Sequence, residues 1–409
     1  MGKIVRGRVF FRQPFVTRQN SIPVLWYRLM LPLALHEVHS SLGARFASLG
    51  GEEIVSDYGN PEAEYEAIHK AAVVVDLGFR GRVCLTGADR VRLLNGQVTN
   101  DIKSLQVGRG CAAAFCSPKG RLVADVAVFC LREELLLDFE PGLSTALIQR
   151  LEHHIVAEDV QVVDVRPYYG LLTVQGPKAS EVVRRLSVFD PLPTEPYHYV
   201  SATDPTLGDL YLMNRPRCGS GGLDLFIPTD SLGAVLDKLV AAAHEVNGLL
   251  CGFDALDLTR FEAGIPRFPV DMDETHLPPE AGLDRYAISY TKGCYTGQET
   301  IARLRTYGQV VKSLRGMRLP DGLRHLPGKG AKLVKDGREV GVLTSAKFSP
   351  RLQANFALGY VRREANAIGT ELTLQTPEGE CLVRIVELPF RSAGPAGDSD
   401  CSSCSEKPS

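Results

Sequence analysis

Residues 292–299 read Lys-Gly-Cys-Tyr-Thr-Gly-Gln-Glu, and this octapeptide is the most distinctive segment of the chain. It places one thiol, Cys294, two residues after Lys292 and shortly before the apolar positions of a predicted helix. A neighbouring cation and the positive end of a helix both favour the thiolate over the thiol. The octapeptide therefore predicts a reactive cysteine.

The same segment also has a purely structural interpretation. Thr296 and Glu299 have the spacing of a capping box, and Gly293 and Gly297 suit turn geometry. On this interpretation the octapeptide only begins a helix.

The size and charge of the chain narrow its class. Its 409 residues suggest two to four domains, and its 46 basic and 48 acidic side chains leave a net charge of −2. This balance predicts no nucleic-acid partner, and no stretch after the N-terminal region reaches the roughly 18 apolar residues of a membrane span. The ten cysteines are thinly spread, which favours free thiols in a reducing compartment and predicts a cytoplasmic protein. The nine histidines lack metal-ligand spacing, so no metal site is predicted.

Hydrophobic periodicity predicts an α+β protein. Asn60 and Pro61 have the pattern of a helix start, and the β-rich runs over 122–139 read as a hairpin. From residue 310 onward, short β-runs are separated by turn signals at residues 336–337 and 378–379, which predicts a small C-terminal β-barrel. Within the hairpin, Asp125 interrupts an apolar strand and must be paired or reach solvent, because burying a lone carboxylate costs several kcal/mol.

Other segments accompany the octapeptide in a characteristic order: Leu85-Thr-Gly-Ala-Asp89, Gln97-Val-Thr-Asn-Asp101, Arg260-Phe-Glu-Ala-Gly264, Pro279-Glu-Ala-Gly-Leu283 and Ala357-Leu-Gly-Tyr-Val361. Together they resemble the YgfZ folate-binding proteins, which act in iron–sulfur cluster assembly or repair and share their fold with the glycine-cleavage T-protein. The resemblance implies three domains in a ring, with a tetrahydrofolate-type ligand in a central channel.

Five segments are predicted on this basis. Residues 1–35 form an unassigned basic and apolar extension, 36–165 an N-terminal T-protein-like folate-binding region, and 166–311 a second such region that carries the octapeptide. Residues 312–390 form the barrel, and 391–409 a disordered tail.

The resemblance also implies roles for individual residues. Asp224 corresponds to an acid that accepts two parallel donors of a pterin, and Arg260 to an arginine that contacts the ligand. Asp125 lies near the segment that carries the catalytic aspartate of T-proteins. Further ligand contacts are expected from Asn100, Asp101, Tyr295 and Gln298, and Lys292 is expected to assist Cys294.

Three functional hypotheses follow. The first is a tetrahydrofolate-binding monomer that maintains iron–sulfur client or assembly proteins through Cys294. The second is a folate-dependent aminomethyltransferase or demethylase of the T-protein class that uses Asp125. The third is a non-catalytic folate-dependent scaffold. The octapeptide favours the first, because it is the YgfZ signature and not a T-protein feature.

Overall fold

The computed structural model describes residues 31–391, apart from the Tyr307 side chain. Within this range the chain forms eight α-helices: α1 (His36–Ser41), α2 (Pro61–Lys70), α3 (Arg90–Gln97), α4 (Ser144–His153), α5 (Ala179–Arg184), α6 (Leu232–His244), α7 (Phe253–Glu262) and α8 (Gln298–Tyr307). The predicted N-terminal extension up to residue 30 and the predicted tail from residue 392 lie outside the described residues.

The described part of the chain also contains nineteen β-strands. They are β1 (Arg45–Leu49), β2 (Glu52–Asp57), β3 (Val73–Asp76), β4 (Gly81–Thr86), β5 (Gly110–Cys116), β6 (Leu122–Cys130), β7 (Leu135–Phe139), β8 (Gln161–Asp164), β9 (Tyr169–Gln175), β10 (Tyr199–Asp204), β11 (Gly208–Asn214), β12 (Gly222–Pro228), β13 (Leu249–Leu250), β14 (Lys312–Arg318), β15 (Lys332–Lys335), β16 (Arg338–Ser349), β17 (Ala354–Arg362), β18 (Glu371–Thr376) and β19 (Gly379–Val386).

Two sheets form the main body. The five-stranded sheet has the order β5-β6-β7-β4-β8, and the six-stranded sheet has the order β10-β11-β12-β9-β3-β13. Each sheet packs helices on one face, α3 and α4 against the first and α5 and α6 against the second. Their other faces contribute to a shared apolar cluster that includes Phe129 and Phe226. Because strand side chains alternate between faces, each strand supplies one row to this interior and one row to its helices.

The C-terminal residues form a separate closed barrel, as the sequence predicts. Its strand order is β14-β17-β16-β15-β18-β19. The turn between β15 and β16 uses Asp336 and Gly337 with φ of 50° and 76°, the left-handed pair that two-residue hairpins require. The barrel encloses its own apolar cluster, which includes Met317 and Leu343.

Most predicted elements are confirmed. Asn60 caps α2 through its side chain, which accepts the amide of Ala63 at 3.1 Å, and β6 and β7 form the predicted hairpin. The sheets do not follow the predicted boundary at residue 165, because β3 pairs with β9 in the six-stranded sheet. The predicted domain limits as a set stay a prediction.

Across residues 31–391, no helix is both long and apolar enough to span a membrane. The eight cysteines in this range are all free thiols.

Candidate functional site

A cavity of about 330 Å³ lies between the five-stranded sheet, α7 and the loops that follow β3 and β11. The alternation of β6 and β7 explains its polar wall. Ala124, Val126 and Leu137 belong to the cluster that faces the helices, which leaves Asp125 and Asp138 on the opposite face. The charged side chains that line the cavity are Arg80, Asp125, Asp138, Glu140, Arg215, Arg217, Asp257, Arg260 and Arg267.

Among the carboxylates of this wall, Asp125 is the one whose charge is least compensated by neighbouring cations. Its Oδ1 atom is buried and has no hydrogen-bond partner among the described residues. Burial and the nearby charge of Glu140 raise the pKa of Asp125 to about 6, although Arg80 opposes the shift. The group therefore changes charge near neutral pH, which is the property that a general acid or base requires.

Asp138 is the opposite case. It is 1% exposed and lies among Arg80, Arg215 and Arg217, with Arg80 Nε at 2.7 Å and Arg217 Nη2 at 2.9 Å from its oxygens. Burial alone would raise the pKa of Asp138, but the three arginines more than offset burial and hold the pKa far below its usual range. Asp138 is thus a permanent anion that fixes the arginines of one wall.

Arg260, a predicted ligand residue, lies on the α7 side of the cavity. Its Nε donates to Asp257 at 2.8 Å, and its Nη1 donates to Asp271 and to the carbonyl of Ile265. Its Nη2 atom is buried without a hydrogen-bond partner among the described residues. Arg260 therefore retains the two N–H groups of Nη2 for a ligand.

Asp224, the predicted pterin acceptor, does not line the cavity. It is 1% exposed, and both of its oxygens accept from Arg217, with the shortest contact at 2.6 Å. Arg217 itself lines the cavity and lies between Asp224 and Asp138. Arg217 therefore binds both oxygens of the Asp224 carboxylate, and the sequence motif does not reveal this partner.

Asn100 and Asp101 also lie outside the lining. Asn100 Nδ2 donates to the carbonyls of Ala112 at 2.8 Å and Tyr286 at 3.3 Å, two residues that do line the cavity. Asp101 accepts the amide of Lys103 in a local turn. The first residue supports the wall and the second shapes a turn.

Lys292 is buried, and its amine forms hydrogen bonds to backbone carbonyls. Its Nζ donates to the carbonyls of Asn95, Val98 and Asn100 at 2.6–2.8 Å and lies 5.1 Å from the Tyr295 ring centroid. Burial lowers the pKa of Lys292 to about 8. Tyr295 packs into an apolar cluster at 8% exposure, so neither side chain lines the cavity.

Cys294 is exposed, and its surroundings differ from those predicted. The ammonium of Lys292 is committed to three carbonyls, and α8 begins only at Gln298, four residues after the thiol. The influence of a helix terminus falls off within its first turn, so neither proposed source of positive charge is placed as expected. A reactive Cys294 stays a prediction that rests on its exposure.

The capping box predicted for this helix is wrong. Gly297, with φ of 86°, occupies the N-cap, and no side chain caps the helix. Thr296 instead donates its amide to the carbonyl of Gly96, and Glu299 pairs with Arg303 at 2.6 Å on the exposed face. Gln298 is the first helical residue and is partly buried away from the cavity lining.

Gly297→Ala is expected to destabilise the fold by about 1–3 kcal/mol. The left-handed φ disfavours a side chain, and a Cβ would lie 2.4 Å from the carbonyl oxygen of Ser117. Gly293→Ala is the matched control, because open space surrounds Gly293 and its φ is not positive. Urea denaturation of both variants measures the difference, and equal midpoints would contradict the structural role of Gly297.

Several cavity residues were missed in the sequence, although some carry a usable signal. Asp138 interrupts the apolar strand β7 just as Asp125 interrupts β6, and Arg215 and Arg217 flank a proline directly after β11. Tyr197 lines the cavity with an unusual φ of 63°, and the guanidinium of Arg215 lies 4.8 Å from its ring centroid. A positive φ at a tyrosine has no sequence signal.

The fold and the cavity define a class: a multidomain α+β protein with a charged interior pocket and a closed C-terminal barrel. Residues 35–292 match the model of the GCVT N-terminal domain, and residues 312–391 match that of the glycine cleavage T-protein C-terminal barrel domain. The chain therefore belongs to the glycine cleavage T-protein family.

Individual relatives agree with this assignment. The chain is 30% identical over 363 residues to an aminomethyltransferase of Symbiobacterium thermophilum, which covers 87% of this chain and 96% of the relative. It is 26% identical over 359 residues to an aminomethyltransferase of Bacillus subtilis, which covers 87% and 98%. A crystal structure of the glycine cleavage system aminomethyltransferase T from Bartonella henselae superposes with a TM-score of 0.79 at 20% identity, over 88% of this chain and 98% of that one, and supports the fold. These matches leave the narrower YgfZ assignment a prediction.

Proposed function

We propose that this chain binds a tetrahydrofolate-type ligand in the cavity and transfers a one-carbon unit to it, as an aminomethyltransferase-like protein of the T-protein class. One observation carries the proposal. Asp125 is a partly buried carboxyl group in a ligand-sized cavity, its pKa is raised to about 6, and its buried Oδ1 atom has no hydrogen-bond partner among the described residues. Ionisable groups with strongly shifted pKa values cluster at functional sites. The names of the relatives supply the reaction class.

The residues of the cavity fit such a ligand. Its volume of about 330 Å³ lies within the roughly 300–1,000 Å³ of small-molecule pockets. Glu140 Oε2 and Arg260 Nη2 are buried in its wall without hydrogen-bond partners among the described residues. A pterin presents parallel donors and a carbonyl acceptor, which match a carboxylate and a guanidinium respectively. Glu140 is a better acceptor than Asp224, because Glu140 lines the cavity and keeps Oε2 free of hydrogen bonds within the described residues while Arg80 binds Oε1, whereas Asp224 lies outside the lining and accepts from Arg217 on both oxygens.

Asp125 is the acid–base group in this proposal. A bound tetrahydrofolate supplies the nitrogen atoms that receive the one-carbon unit. Asp125 would accept at its free Oδ1 atom the proton that such a nitrogen loses when it bonds to the one-carbon unit, and would pass it to the departing amine of the aminomethyl donor, while Arg260 and Glu140 would orient the ligand. Asp138 and its arginines keep the wall rigid, so that little reorganisation accompanies the proton transfer.

The test is a transfer assay with an aminomethyl donor and tetrahydrofolate, with methylenetetrahydrofolate as the measured product. The proposal expects wild-type protein to form this product and Glu140→Gln to raise KM for tetrahydrofolate more than it lowers kcat. Glu158→Gln is the control, because Glu158 lies outside the cavity lining. A wild type that forms no product with any aminomethyl donor would contradict transfer.

A second candidate function is the maintenance of iron–sulfur enzymes, as in the YgfZ resemblance. One structural observation favours it: Cys294 is exposed, whereas the other seven described cysteines are buried or partly buried. A single cysteine does not hold a four-ligand cluster, so the role would be thiol chemistry on a client.

Cys294→Ser distinguishes the two candidates. Under the T-protein proposal this variant retains transfer activity within about twofold, because Cys294 lies outside the cavity lining. Cells that carry it in place of the wild type would then keep normal activity of their iron–sulfur enzymes. Loss of those activities in Cys294→Ser, with Cys381→Ser as the unaffected control, would instead support the second candidate.

A further inference from the structure

The C-terminal barrel contributes none of the residues that line the cavity, yet it contacts two acids that hold the cavity arginines. Asp257 lies on α7, and Asp271 lies in the loop after it. Both side chains are buried, and Asp271 is 0% exposed. Each acid divides its two oxygens between the cavity and the barrel.

Asp257 connects the cavity to Lys347. Its Oδ1 atom lies 2.8 Å from Arg260 Nε and 3.0 Å from Arg267 Nε, and both arginines line the cavity. Its Oδ2 atom lies 2.8 Å from the Nζ of Lys347, a residue of β16 in the barrel. Arg260, Arg267 and Lys347 together outweigh burial and hold the pKa of Asp257 far below its usual range, so the carboxylate stays charged.

Asp271 repeats the arrangement. Its Oδ2 atom accepts from Arg260 Nη1 and, at 3.1 Å, from the backbone amide of Arg267. Its Oδ1 atom accepts from Thr344 Oγ1 at 3.1 Å and Ser345 Oγ at 2.5 Å, both on β16. One barrel strand therefore supplies the second partner of both acids.

We infer that the barrel supports the ligand site indirectly. Ser345 and Lys347 are positioning residues that orient Arg260 and Arg267 through Asp271 and Asp257. Ser345 and Lys347 are two residues apart on β16, so the strand presents both side chains in the same direction. Without the barrel contacts, each carboxylate keeps its cavity partners but loses the group that fixes its second oxygen. The arginines then sample more orientations, and ligand binding must restore the productive one.

The inference rests on the proposed function for the identity of its ligand, but the contacts between the barrel and the arginines do not depend on that function. Two measurements therefore test the inference and the proposed function separately. The first is tetrahydrofolate affinity by calorimetry. Lys347→Met and Ser345→Ala are each expected to weaken binding roughly 2- to 30-fold. Lys347→Arg, which keeps the positive charge, is expected to bind with wild-type affinity. Lys332→Met is the matched control, because Lys332 forms an exposed pair with Glu339 elsewhere in the barrel.

A double-mutant cycle shows whether Lys347 acts through the cavity arginine. Lys347→Met should cost less affinity in an Arg267→Met background than in the wild type, because Asp257 then holds only one of its two cavity arginines, Arg260. Additive losses would overturn the inference. So would affinity that is unchanged in both Lys347→Met and Ser345→Ala.

The second measurement needs no ligand. Hydrogen exchange over residues 264–272 reports the Arg267 amide that donates to Asp271. Ser345→Ala should speed exchange there severalfold, whereas Lys332→Met should not. Unchanged exchange would overturn the inference. Faster exchange in a protein whose wild type binds no tetrahydrofolate would support the coupling and contradict the proposed function alone.

Discussion

Asp125→Asn is expected to lower kcat for one-carbon transfer by roughly 10²–10⁴-fold, the usual contribution of a general acid or base. The amide preserves the shape of the side chain but cannot accept the proton. Tetrahydrofolate affinity should change only a few fold, because the ligand-orienting groups Arg260 and Glu140 remain. The measurement is steady-state transfer, with Asp321→Asn on the exposed surface as the matched control.

The pH dependence of the wild type gives an independent check. A base with a pKa of about 6 is charged above that value, so kcat/KM should fall as pH decreases through about 6. The Asp125→Asn variant should lack this decrease in kcat/KM. A wild-type profile that is flat between pH 5 and about 8 would argue against Asp125 as the base.

The same substitution should stabilise the protein. The pKa of Asp125 is raised on folding from about 3.9 to about 6, so the native state binds more protons than the unfolded state in this interval. Wild-type stability therefore decreases as pH rises through that window and stays lower above it, by up to about 3 kcal/mol. Asp125→Asn removes this penalty, and urea denaturation at pH 4 and about 7.5 should show a gain at the higher pH only. A loss of stability at neutral pH would contradict the environment assigned to Asp125.

Asp138→Asn should have the largest effect on stability, a loss of about 3–5 kcal/mol. The variant leaves Arg80, Arg215 and Arg217 without their shared buried anion. A typical domain has only about 5–15 kcal/mol of stability, so partial unfolding at physiological temperature is expected. Guanidinium denaturation at pH 7 measures the loss, and Asp321→Asn should change stability by less than about 0.5 kcal/mol.

The acid limb of the wild-type stability curve tests the same group. The pKa of Asp138 is depressed on folding, so its contribution is complete above the unfolded value of about 3.9 and is lost as pH falls below it. Asp138→Asn should therefore flatten the decline in stability between about pH 4 and pH 2. If the stability of the variant declined as steeply with pH as that of the wild type, groups other than Asp138 would account for the acid sensitivity.

Much of the fold follows from the sequence, for local reasons. The cap of α2, the β6–β7 hairpin and the barrel turn at Asp336 each depend on residues adjacent in the chain. The alternation that isolates Asp125 on its strand is equally local. The pairing of β3 with β9 joins residues about a hundred positions apart and has no such signature.

The candidate site is less predictable, because its chemistry depends on partners that the chain brings from a distance. The Asp224 motif does not reveal that Arg217 binds both carboxylate oxygens, and the spacing of Lys292 and Cys294 does not reveal three backbone carbonyls around the amine. Residue type predicts which groups are able to act. Hydrogen-bond partners decide which of them are free to do so.

Calorimetric titration of wild type and Ala112→Leu with tetrahydrofolate tests the central claim most directly. Ala112 is buried in the cavity wall, and a leucine there fills the space without changing any charge. Ala302→Leu, on the exposed face of α8, makes the same change away from the cavity. The account predicts one site per chain in the wild type and in Ala302→Leu, and loss of binding in a folded Ala112→Leu. No binding to the wild type, or equal binding to all three proteins, would contradict a folate site in this cavity.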